Sequence, residues 1–218
     1  EREQIGGTLI LWPGIAEELL ATKAWYARDG LFDGVDAVLF THVSNNMNVS
    51  WGDARGTGLV SVEYLFDGVA AHGAGDPWKG RSALDAVEIM NVGWNFRREH
   101  LHPLQRSHYV ISNGGDQPNV VPSFASVWYF IREITAENIM ENFATLQRVA
   151  EGAAMMTDTT VSRKIVGAAW PRHFNRPIAL AMDKNIKGRV THLVRRRPTL
   201  CQSVADTNGF GQSAGPSH

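Results

Sequence analysis

From residue 58 onward the apolar positions switch period in a regular order. Residues 58–69 alternate as a strand, and residues 82–101 carry Ala83, Leu84, Ala86, Val87, Met90, Val92 and Trp94 at helical spacing. Residues 106–112 (RSHYVIS) read as a strand and 113–116 (NGGD) as a turn. Residues 120–133 (VVPSFASVWYFIRE) follow as a long strand with Pro122 near its start, where a proline is tolerated. Thr135 is a good helix N-cap, residues 136–156 continue as a second amphipathic helix, and 159–166 (TTVSRKIV) form a last strand rich in β-branched residues. The order β-α-β-β-α-β predicts one antiparallel four-stranded sheet with both helices on one face, a ferredoxin-like unit of about 110 residues.

The flanks read differently. Residues 8–12 (TLILW) look like a short buried strand, followed by the turn residues Pro13 and Gly14, the adjacent acids Glu17 and Glu18, and a helix to about Arg28. Residues 35–41 (VDAVLFT) look like a second strand that delivers His42 at its end, an α/β layout. An interior strand with almost nothing in front of it leads us to expect a piece of something longer. Residues 45–57 are polar and read as a crossing between domains. Residues 175–187 start another helix that returns to the first domain. From Gly188 the texture breaks: four arginines stand against one acid, no amphipathic period is present, and the end is rich in Gly, Ser and Pro. The expected organisation is therefore a partial α/β domain at 1–56, the ferredoxin-like domain at 57–171, a return at 172–187, and a disordered basic tail at 188–218.

Composition narrows the function class. The 218 residues are 44% hydrophobic with a formal charge of −1, and the mean hydropathy is −0.20. Neither nucleic acid nor a membrane is expected as partner on this charge. The stretch Val127, Trp128, Tyr129, Phe130 also lacks the basic and glycine residues of an RNA-recognition strand. A lone Cys201 excludes an intrachain disulfide framework and fits a reducing, cytoplasmic setting. No apolar run approaches the ~20 residues that span a bilayer, and the first residues lack a signal-peptide pattern.

Three places carry candidate chemistry. Residues 68–87 (GVAAHGAGDPWKGRSALDAV) spend many small residues on presenting one imidazole, His72, between a strand and a helix. Glu17 and Glu18, after a buried strand, suit metal chemistry, in which one carboxylate ligates a cation and its neighbour takes a proton from bound water. Read alone they are equally the solvated first turn of a helix, favoured there by the macrodipole. His42 at a strand end strengthens the metal reading. His100, His102 and His108 read as polar surface, and Arg195, Arg196 and Arg197 as solvated charge.

These residues carry a resemblance. The segment WPGIAEELLATK, the following GLFDGVDAVLFTHVS, and above all FDGVAAHGAGDPWKGRSALDAVEIMN with NGGDQPNVVPS resemble the metallo-amidohydrolases of the M20 peptidase clan, over roughly residues 5–187. The resemblance implies a partial zinc-peptidase-like α/β catalytic domain with a ferredoxin-like lid, or dimerisation, domain inserted in it. It implies a metal-dependent amidohydrolase acting on an N-acyl amino acid or an aminobenzoyl-glutamate-like amide. Two divalent ions would be held, zinc or alternatively manganese or cobalt. Glu17 would be the general base, Glu18 a ligand of one metal and His42 a ligand of the other. His72 would reach across a homodimer, or into a related subunit, and polarise the scissile carbonyl, and Asn119 would contact substrate. The family places a proline after the strand-end histidine, where this chain has Val43. A metal-binding histidine and a bridging aspartate upstream of the acids, and a last histidine downstream, have no match here. The implied alternative is a non-catalytic dimerisation fragment.

Overall fold

Strand β1 (Gly58–Asp67) alternates strictly enough to divide its residues between two environments. Val60, Val62, Tyr64 and Phe66 are buried toward a helical layer, while Glu63 and Leu65 on the opposite face keep partial exposure. The structure, a computed structural model, describes residues 6–43, 49–51 and 56–196, with backbone alone at 20 and 190–196. It divides into two compact units, one of Glu1–Val35 with Ala54–His173 and one of Asp36–Asp53 with Phe174–His218.

The first unit contains the β-α-β-β-α-β order read from the sequence: β1, α3 (Ala83–Arg97), β2 (Arg106–Asn113), β3 (Phe124–Glu133), α4 (Ala136–Thr157) and β4 (Thr160–Ala169). The spatial order is β2-β3-β1-β4 and all three pairings are antiparallel. Ala125, Val127, Tyr129 and Ile131 of β3 continue the inner face of β1, and Ala83, Ala86, Val87, Met90 and Trp94 of α3 with Ile139, Leu146 and Ala150 of α4 close over it. Burying each large side chain contributes about 1.5–3 kcal/mol. Two polar side chains inside this layer are paired: Trp94 Nε1 donates to Ser107 Oγ at 2.8 Å, and the Tyr129 hydroxyl donates to Asn91 Oδ1, whereas the buried Tyr64 hydroxyl has no hydrogen-bond partner among the described residues. Both helices begin on side-chain caps, with Asp85 N donating to Ser82 Oγ and Asn138 N to Thr135 Oγ1, each at 3.1 Å.

Strand β3 starts at Phe124, later than the sequence pattern suggests. Residues 119–123 are used elsewhere: Gly68 N donates to Ser123 O (2.8 Å), Val121 N to Ala71 O (2.9 Å) and Ala83 N to Pro122 O (2.9 Å). This segment threads between the end of β1 and the start of α3, so its strand-like residues pair with a loop rather than extending the ladder.

Two expected strands are absent. Residues 8–12 and 35–41 have no regular structure, and Leu9, Leu11, Val38 and Leu39 are all more than 60% exposed. Strand composition alone does not make a strand, because backbone N–H and C=O groups need a neighbouring edge. Among the described residues no edge pairs with either segment. The expected helix from Glu17 to Arg28 is broken into α1 (Glu17–Leu20) and α2 (Thr22–Arg28) at Ala21, which sits at φ 48. Conversely α5 (Arg176–Arg196) runs on through the break expected at Gly188. One glycine costs about 1 kcal/mol in a helix, which by itself does not end one. Asn175 caps that helix, its Oδ1 accepting from Ile178 N at 3.1 Å. The expected tail from 197 onward, and parts of the 45–57 crossing, lie outside the described residues.

His102 is more than polar surface. Its Nδ1 lies 3.1 Å from Oε1 of Glu133, a carboxylate with no solvent exposure at the end of β3. Among the described residues no hydrogen bond reaches that oxygen: His102 Nδ1 accepts from Leu104 N at 3.3 Å, and Glu133 is held through Oε2, which accepts from Ile134 N.

Two glycines give opposite expectations. A Cβ on Gly68 would stand 2.0 Å from the Arg81 carbonyl oxygen, whereas one on Gly152, within α4, would meet nothing within 4 Å. Gly68→Ala should therefore cost about 2–3 kcal/mol in urea unfolding, and Gly152→Ala should add about 0.5–1 kcal/mol. Equal effects would contradict the packing described. Burial pushes the phenols of Tyr64 and Tyr129 well above the ordinary tyrosine range. Raised folded values mean that stability is fully present below the unfolded tyrosine pKa of about 10 and is lost as pH climbs above it. A thermal midpoint that stays level from pH 9 to 11 would contradict this.

Candidate functional site

The loop between β1 and α3 is held at both ends and in the middle. Val69 and Arg81 exchange two backbone hydrogen bonds of 2.9 Å, closing its base. Further out, His72 bridges to Val120, and Gly73 N donates to Asn119 O at 2.8 Å. Gly73 suits that approach, since a Cβ would lie a tight 3.1 Å from the same oxygen. The structure thus brings together two of the residues singled out by sequence, His72 and Asn119, both exposed.

His72 is oriented by its own loop. Its Nδ1 accepts from Gly75 N at 3.0 Å and from Ala74 N at 3.2 Å. An imidazole nitrogen that accepts carries no proton, so in the neutral ring the proton sits on Nε2. The result is an N–H donor on an exposed, hydrogen-bonded turn. Such a donor suits an oxygen on which negative charge develops. Beside this pair, Ala70, Asn113, Asp116, Val120, Pro122 and Phe124 line a shallow cleft.

The other candidates lie on other segments of the chain. Glu17 and Glu18 form the exposed first turn of α1, a helix of four residues entered through Ala16 at φ 48. His42 belongs to the second unit, is exposed, and donates from Nδ1 to the carbonyl of the adjacent Val43 at 2.7 Å. Among the described residues, no group of three or more His, Cys, Asp or Glu side chains could hold a metal ion. A catalytic zinc takes three protein ligands. The two-metal centre that the family resemblance implies is thus not assembled among the described residues.

Residue type alone does not single out Arg81. Its guanidinium donates to Gly80 O (2.7 Å) and Trp78 O (3.4 Å) within the loop, and from Nε to Asp158 Oδ2 (2.7 Å) at the end of α4. The available signal is its place, closing the loop that holds His72.

Residues 55–155 match the peptidase dimerisation domain of the M20 family. One of the subunits of the p-aminobenzoyl-glutamate hydrolase of Escherichia coli K12 is 38% identical over 178 residues, 81% of this chain and 37% of that protein. The human Xaa-Arg dipeptidase is 30% identical over 68% of this chain and 34% of its own length. This chain thus spans little more than a third of these relatives. Among solved structures, an aminobenzoyl-glutamate utilization protein from Klebsiella pneumoniae superposes with TM-score 0.58 at 25% identity, covering 70% of this chain and 40% of the other. An amidase of the hydantoinase/carbamoylase family from Burkholderia multivorans shares the fold, with TM-score 0.52 at 16% identity over 61% of this chain and 33% of that one. No helix among the described residues is long and apolar enough to cross a membrane.

The orientation of His72 is open to direct measurement. Long-range 1H–15N spectra at pH 9, well above the usual imidazole range, should show the proton on Nε2 and an unprotonated Nδ1. Rapid averaging of the two tautomers would contradict the turn geometry.

Proposed function

Because this chain is related to the M20 family through its peptidase dimerisation domain, we propose that it supplies the lid of a metal-dependent amidohydrolase. In this reading residues 57–171 dimerise and the loop offers His72 to the reaction site of a second subunit. The observation that carries it is the pair of hydrogen bonds from Ala74 N and Gly75 N to His72 Nδ1, which leaves Nε2 as the exposed donor of the neutral ring on a two-layer domain. A donor aimed at the oxygen of a collapsing amide is worth about 2.7–4 kcal/mol of transition-state stabilisation. Asn119, held against Gly73, is the companion contact to substrate. The substrate class is an N-acyl amino acid or an aminobenzoyl-glutamate-like amide. Glu17 as general base, with Glu18 and His42 as ligands, belongs to a site that these residues do not complete by themselves. Residues 1–56 and 172–187 are its catalytic-domain part in this reading. On its own the chain therefore acts as a dimerisation module rather than as a catalyst.

Edge geometry supports the dimer. Strand β2 is an edge of the sheet with Val110 and Ile111 both exposed, and an open edge offers unpaired backbone groups to another strand. The partner is a second copy or a related subunit.

Light scattering should find a concentration-dependent dimer that survives EDTA, and Val110→Lys should weaken it by about tenfold or more, as edge lysines do. A strict monomer at high concentration would overturn the lid reading. Hydrolysis of p-aminobenzoyl-glutamate by this chain should not exceed the buffer rate. Turnover that Glu17→Gln abolishes would instead favour a catalyst complete in this chain.

A further inference from the structure

His72 sits in a loop that leaves the sheet at Val69 and returns at Arg81. Small residues dominate its first half, and His72 to Gly75 are exposed. Such a segment would sample many conformations unless something outside it fixed its path. The His72–Val120 bridge fixes one side. On the other side, one side chain connects the loop to the C-terminal end of α4.

We propose that Arg81, through its ion pair with Asp158, is a positioning residue that holds the loop so that the His72 imidazole keeps a single orientation. The proposal rests on the lid reading only for its purpose; the clamp itself is a statement about the loop. Three features point to it. The Arg81 backbone packs directly on Gly68, its carbonyl oxygen 2.0 Å from where a Cβ there would stand, so its own position is set by the end of β1. Its guanidinium takes the carbonyls of Gly80 and Trp78 together and so spans the last turn of the loop, residues Pro77–Lys79. Its Nε ends on Asp158, the left-handed C-cap of α4 at φ 53, whose own N–H is bonded to Ala154 O. Asp158 is therefore an anchored acceptor 77 residues away in sequence. The planar fork of arginine serves all three acceptors, which a lysine ammonium on a flexible stem does not do in one geometry. Within the loop, Lys79 and Asp76 pair at 3.1 Å and brace the same turn. The Asp158 carboxylate is itself 81% exposed, so removing its charge leaves the core untouched and reports on the loop.

The test uses amide exchange by NMR on the 218-residue chain, read at Ala74 and Gly75, the two donors to His72 Nδ1. Asp158→Asn keeps a residue tolerant of left-handed backbone and removes only the charge. It should speed exchange at Ala74 and Gly75 by about threefold, and Arg81→Gln by about tenfold, while amides of β1 and α3 stay unchanged. Arg81→Lys should recover part of the protection. The double variant should match Arg81→Gln alone, because the two groups act as one unit. The 15N signals of His72 should move toward tautomer averaging in step with exchange. Unchanged exchange at Ala74 and Gly75 in both single variants, or fully additive effects in the double variant, would overturn the proposal. A monomeric chain whose loop nevertheless loosens in this way would refute the lid reading and leave the clamp standing.

Discussion

Strand β1 is hydrogen-bonded along both of its edges, to β3 from Gly58 to Asp67 and to β4 from Leu59 to Asp67. Its inner face is sealed by two helices, so it has no freedom to slide or twist independently: a slip of one residue would turn Val60, Val62, Tyr64 and Phe66 out of the core. The loop that carries His72 begins where this strand ends. A side chain a few residues beyond a doubly paired strand inherits its fixed position, provided the intervening backbone is also pinned. The pairing of residues 68, 71 and 73 with residues 119–123 does that pinning. Rigidity thus passes from the packed core to an exposed imidazole without burying the imidazole itself.

That arrangement accounts for the choice of residues in the loop. A donor meant for a partner molecule must be exposed, yet an exposed side chain on a free loop loses entropy when it is ordered at the moment of use. Here Nδ1 is occupied by two backbone N–H groups of the same turn, which settles both the tautomer and the ring plane in advance. Gly73 lets the neighbouring segment approach to hydrogen-bonding distance, and Arg81 braces the return. The same logic separates this site from Glu17, Glu18 and His42. Those residues lie on a one-turn helix and on an irregular segment, without a comparable framework among the described residues.

The ferredoxin-like unit is legible in the sequence because it repeats two physical signals, period-two burial and helical apolar spacing, with Ser82 and Thr135 marking where one gives way to the other. The cooperation of His72 and Asn119 is legible only in part. Residue type and loop composition single out each of them, but the register that puts Gly73 against Asn119 depends on pairing across a long stretch of chain. The same limit explains the misread strands. Residues 8–12 and 35–41 have the composition of buried strands, and periodicity reports what a segment would bury, not whether a partner edge is present to bury it. Helix α5 shows the converse: low amphipathicity beyond Gly188 reads as disorder, although a helix needs only local hydrogen bonds to continue. Arg81 is silent in the sequence because its role lies in what it joins, and Asp158 is far away along the chain.

The central claim is that the β-α-β-β-α-β unit is a self-supporting framework whose order extends outward to His72 and not to the candidate metal-binding segments. Hydrogen exchange across the whole chain tests it directly. The account predicts the strongest protection in β1, β3, α3 and α4, clear protection at Gly73 and Val121, and near-intrinsic exchange through residues 8–12 and 35–41. Protection of residues 8–12 and 35–41 equal to that of β3, or intrinsic rates at Gly73 and Val121, would contradict it.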